Sequence, residues 1–203
     1  AKRKNILRGT GMKTIYIFLT KSTTICSRLI YIATRSEFTH AAISLDDSFD
    51  KLYTFSRKHR YLPLPAGFVT ESMYDGIMGD SDNMVCGVYR LNITNNTYNK
   101  LETILNDMEF HRSKYRYSIL GLLFCLFNKA FEREDYCFCS QFVYRTLSES
   151  EAIQYERPSS LVRPMDLPDL SEAMEVFKGT IGDLRLNGLV PAHGEALASR
   201  ANM

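Results

Sequence analysis

The chain has 203 residues, 45% apolar and 12% aromatic, enough to bury the core of one globular domain. Its 25 basic and 23 acidic residues are interspersed and leave a formal charge of +2, which argues against a long-range field that would draw in nucleic acid. Five cysteines, an odd number in a chain this large, argue against a disulfide framework and suit free thiols in a reducing compartment.

From the N-terminus, Lys2, Arg3 and Lys4 form the one dense basic cluster and read as a solvated extension over residues 1–12. The opening residues carry no apolar stretch with a small-residue cleavage site, so a cytoplasmic location is the expectation. Thr14 to Leu19 (TIYIFL) is a β-branched and aromatic run that predicts a strand. Thr23 and Thr24 then offer an N-cap for a helix carrying Ile25, Leu29, Ile30 and Ala33. HAAISL (40–45) and LYTFS (52–56) flank DDSFDK, where Asp and Ser side chains can close a turn, and together predict a hairpin. RYLPLPAGF, with Pro63, Pro65 and Gly67, predicts irregular chain, and Met84 to Leu91 predicts a further strand.

Between Tyr98 and Phe110, Leu101, Ile104, Leu105 and Met108 recur at helical spacing and predict an amphipathic helix. Ile119 to Phe127 is the longest apolar run; it is far shorter than the roughly 20 residues that cross a bilayer, so it predicts a buried helix and no membrane insertion. After the polar break EREDY, Phe138, Phe142, Val143 and Leu147 lie on one helical stripe, which puts Cys139 near a helix N-terminus. The expected organisation is one α+β domain over residues 13–182 and a C-terminal tail over 183–203.

Cysteine attacks as thiolate, and a helix N-terminus favours negative charge through its unpaired N–H groups and its dipole. Cys139 is placed for that chemistry, although a free cysteine is equally at home in a core, the reading given to Cys26, Cys86 and Cys125. Cys137 makes a C-x-C pair with Cys139, but no second pair stands at zinc-ligand spacing, so no metal and no cofactor are expected. Among the histidines, His59 and His111 sit in charged, surface-like settings and His193 in the tail. His40 opens a strand beside the small Ala41 and Ala42, where a base is usefully mounted. A third polar group ordinarily orients such an imidazole, and two candidates are open: Ser56, on the partner strand of the hairpin, and Glu71, in FVTES.

The order of a histidine strand opening THAAISLD and, much later, a cysteine helix opening YCFCSQFVYRTL resembles the circularly permuted NlpC-type papain-like families. There the histidine strand precedes the cysteine helix, the reverse of papain, and Ser and then Glu or Gln follow the cysteine; here the triplet is Cys139-Ser140-Gln141. HAAISLDDSFDKLYTFSRKH, AGFVTE, YSILGLL and LVRPMDLPDL are similar to a Firmicute YiiX/LRAT-like group of this class, over about Met12 to Gly182. The resemblance implies a permuted papain-like fold, a small antiparallel sheet packed against helices, with Cys139 as nucleophile and His40 as base. Relatives often carry His, Glu or Asn on the strand after the histidine, where this hairpin offers Thr54 and Ser56. The implied activity is a cysteine hydrolase, peptidase or amidase. A lipid-directed thiol acyltransferase or esterase and a catalytically silent binding module are the alternatives. The implied partner is a peptide, amide or lipid-like acyl substrate.

Overall fold

The computed structural model describes residues 11–21, 36–58 and 64–189. The helix expected after Thr24, with Cys26, and the chain around His59, Pro63 and His193 lie outside these residues.

The frame is one antiparallel sheet of six strands in the order β4-β3-β2-β1-β5-β8. Its strands are β1 (Met12–Thr20), β2 (His40–Ser44), β3 (Leu52–Arg57), β4 (Ala66–Glu71), β5 (Val85–Thr94) and β8 (Met174–Thr180). β1 is central and apolar on both sides. Ile15, Ile17 and Leu19 join one core, and Tyr16 and Phe18 join a second on the opposite face. That two-sided burial explains why TIYIFL is an unbroken apolar run instead of an alternating one.

The first core is closed by α1 (Asn95–Phe110), through Leu101, Leu105 and Met108, and by α3 (Cys139–Glu149), through Phe142, Val143 and Leu147. Thr94 caps α1 by accepting from the Thr97 backbone N–H. Phe142 pins α3 to the sheet, its ring 5.3 Å from Phe55 and 5.6 Å from Phe68. α3 is more deeply covered than one stripe predicts: Ser140, Gln141, Tyr144 and Thr146 are buried as well. The cover includes the 3₁₀ turn Ser159–Leu161 and the residue after it, Val162, whose carbonyl accepts from Ser140 Oγ at 2.8 Å.

The predicted hairpin forms as β2 and β3, and Asp46 closes its turn by accepting from the Ser48 backbone and hydroxyl. Three expectations are corrected. Residues 66–68, the end of RYLPLPAGF, are not irregular: they open the edge strand β4, paired along its length with β3. The apolar run is α2 (Ile119–Leu126), capped by Ser118, and it buries only Gly121, Leu122 and Cys125, while Leu120 is 54% and Phe127 77% exposed. A helix buries whichever stripe meets a neighbour, and hydropathy does not say how many neighbours there are.

The third correction concerns the domain boundary, because α4 (Ile181–Asn187) crosses it at 182. Leu184 is 2% exposed in the second core, and Arg185 ties the helix to Asp82 and to the Met78 carbonyl, each at 2.6 Å. The packed unit therefore runs through Asn187. A small parallel pair, β6 (Arg116–Tyr117) with β7 (Tyr136–Cys137), leads the chain into α3. Among the described residues no helix is long and apolar enough to cross a membrane.

Candidate active site

β7 delivers the chain to Phe138, which is the N-cap of α3 and offers no side-chain acceptor. Ser, Thr, Asp or Asn in that position would occupy one of the first N–H groups; phenylalanine, 0% exposed among Leu122 and Cys125, leaves them available at Cys139. The Cys139 side chain is itself 1% exposed, so a substrate reaches the sulfur only when the groups over it shift.

His40 opens β2, and its side chain is 13% exposed. Its Nε2 lies 3.3 Å from Glu71 Oε2 and 3.4 Å from Thr54 Oγ1. The Thr54 hydroxyl donates its single hydrogen to the Ala41 carbonyl at 2.7 Å, so toward His40 it can only accept. Both neighbours of Nε2 are thus acceptors, which places a proton on Nε2 and leaves Nδ1 as the nitrogen for the thiol.

Burial alone would lower the His40 pKa. The Glu71 carboxylate and the hydrogen bond and charge of Cys139 outweigh it, and the pKa is raised from 6.5 to about 10. The imidazolium is therefore the resting form at neutral pH. For Glu71, burial alone would raise the pKa, but the charge of His40, hydrogen bonds from His40 and Ser56, and the Arg57 charge hold it below the ordinary carboxylate value.

Cys139, His40 and Glu71 are brought together; of the two candidates to orient His40, Glu71 lies against its Nε2, and Ser56 bears on Glu71. Thr54, noted in the sequence only as standing where relatives carry another residue, fixes the tautomer. Its signal was present as the polar residue in LYTFS between Tyr53 and Phe55, whose side chains enter the first core.

Burial pushes Cys86 up to about 12 and Cys137 up to about 11, and it raises Cys125. Among the described residues no group of three or more His, Cys, Asp and Glu side chains is arranged to hold a metal. No protein-family model matches the chain, and the search of curated proteins finds no match.

Proposed function

We propose that the chain is a cysteine hydrolase of the permuted papain-like class, with Cys139 as nucleophile, His40 as acid and base, and Glu71 as the group that orients His40. The observation that carries this reading is the anchored Nε2–H, held by Glu71 and Thr54, with Nδ1 left for a cysteine at an uncapped helix N-terminus. The Cys139 thiolate attacks an amide or ester carbonyl, and the oxyanion is met by the Cys139 backbone N–H. The C–S bond forms as the carbonyl π electrons move to oxygen; collapse expels the amine or alcohol, which takes the proton from His40 Nδ1. Neutral His40 then removes a proton from water, whose attack on the thioester releases the acid and restores the ion pair. Peptides and amides are the first substrate class. The unpaired thiols at Cys86, Cys125, Cys137 and Cys139 fit a reducing compartment, and the proposal is for a cytoplasmic enzyme.

One observation favours a second reading, a lipid-directed acyltransferase or esterase: α2 exposes Leu120 and Phe124, its C-cap Phe127 is exposed too, and the helix packs on Phe138 next to the proposed nucleophile. Release of fatty acid from phospholipid vesicles in preference to cleavage of peptide amides decides for it.

Iodoacetamide labelling as a function of pH, read cysteine by cysteine by peptide mass mapping, tests the chemistry. Cys139 is expected to label at pH 6, where Cys86, Cys125 and Cys137 do not, and to lose that reactivity in His40→Ala. A Cys139 that is inert, or that labels equally well without His40, overturns the hydrolase reading and leaves a binding module of this fold.

A further inference from the structure

We propose that the trench along the outer edge of β4 binds an extended peptide bearing acidic side chains, which joins the sheet as a seventh strand. The proposal gives a substrate class to the hydrolase read above, and it rests on that reading only for the fate of the bound peptide.

The first observation is the unpaired edge. β4 ends the sheet and pairs only with β3; β6, which approaches it in space, pairs with β7 instead. Among the described residues, the backbone of Phe68 to Glu71 makes no hydrogen bond outside the β3 ladder, so the outward N–H and C=O groups of this stretch await a partner.

The second is a cavity of about 820 Å³ that runs beside this edge, with Phe68 to Ser72 as one continuous wall. Lys51, before the start of β3, and Arg57, at its end, both line it. Its lining thus takes in residues at both ends of a six-residue strand, a backbone span of roughly 20 Å that suits an extended chain.

Charge selects the ligand. Three of the lining groups are already committed: Lys51 pairs with Glu109 at 2.6 Å, Asp75 accepts from the Gly76 N–H at 2.6 Å, and Glu71 holds His40. Lys58 and Arg112 have no ion pair among the described residues, and the buried Nε of Arg57 lacks a hydrogen-bond partner. The Arg57 charge already bears on Glu71, so Lys58 and Arg112 are the uncommitted cations, and they face one uncommitted acid, Asp50. Cations along an open edge attract acidic side chains at alternate positions of an added strand and repel basic ones. Glu71 lies on the trench wall, so the added strand passes the carboxylate that anchors the imidazole.

The test is binding, measured by fluorescence anisotropy on the full chain carrying Cys139→Ala, so that it does not depend on turnover. The probes are labelled peptides of about seven residues, enough to span the trench, alternating Glu with Val or Lys with Val, and the Glu peptide N-methylated at alternate amides. The Glu peptide is expected to bind at least about tenfold more tightly than the Lys peptide, and to lose about tenfold both on N-methylation and in Lys58→Ala/Arg112→Ala. Equal binding of the Glu and Lys peptides, or no binding, overturns the proposal, as does indifference to N-methylation or to the double substitution. So does capture of phosphatidylglycerol vesicles by a protein that ignores both peptides. Because Cys139 is absent throughout, failure here leaves the labelling result untouched, and failure of that labelling leaves a peptide-binding trench standing.

Discussion

A histidine buried among apolar strands is ordinarily neutral, because desolvation penalises the charged ring. At His40 that penalty is outweighed: a carboxylate 3.3 Å from Nε2 stabilises the imidazolium, which is the partner the proposed thiolate chemistry needs. Glu71→Gln keeps the shape and removes the charge. The His40 titration, followed by NMR of its ring protons, is then expected to move down from about 10, because burial acts against a weaker opponent. Cys139 labelling at pH 6 should slow in the same variant. A midpoint that stays near 10 would assign the upward push to Cys139 in place of Glu71. That Cys139 opens a helix and His40 a strand was legible because residue type and place at an element start are local facts. The choice between Ser56 and Glu71 was not, because it depends on the side-chain hydrogen bonds from Ser56 to Glu71 and from Glu71 to His40, which no periodicity encodes.

The same distinction between local and non-local information governs the elements. Strands β1 to β3 and helix α1 follow from runs of ten or so residues, and the hairpin turn from Asp46 and Ser48. β4 is a different case: Pro65 and Gly67 mark it as irregular, yet the proline stands just before the strand, and the glycine is where another backbone comes close. A Cβ at Gly67 would collide with the Tyr115 carbonyl oxygen. Gly67→Ala is therefore expected to destabilise the protein by about 1–3 kcal/mol, because a main-chain atom cannot rotate away as a side chain can. Urea denaturation measures it, and a midpoint equal to that of the unsubstituted protein would mean that the β4–β6 contact yields freely. α2 shows the converse. Its sequence is apolar on every side, but only the stripe of Leu122 and Cys125 finds Phe138, and no local signal says that the opposite stripe meets no wall.

At the scale of the whole molecule the buried ion pair makes folding stability depend on pH, and the signs can be worked out group by group. His40 has a folded pKa of about 10 against an ordinary 6.5, so its contribution is complete below 6.5 and is lost as pH rises toward 10. Glu71 is held below its ordinary 4.5, so its contribution is present above 4.5 and is lost as pH falls through the folded value. The two overlap fully between 4.5 and 6.5, where stability should peak. Cys86 and Cys137 add a loss of their own at high pH, because their thiols ionise near 9.0 when unfolded but only at about 12 and about 11 when buried. That loss begins near 9.0, and in Cys139→Ala it leaves an interval from 6.5 to 9.0 in which His40 is, among the described residues, the group that distinguishes the folded from the unfolded state. Across it the unfolding free energy is expected to fall by at most about 1.4 kcal/mol per pH unit, the limit for one proton. With His40→Ala added, the curve should be flat over that interval and should still turn down above 9.0, where the buried thiols and then the tyrosines raised by burial ionise in the unfolded state. A Cys139→Ala curve already flat from 6.5 to 9.0 would mean that His40 folds as neutral imidazole.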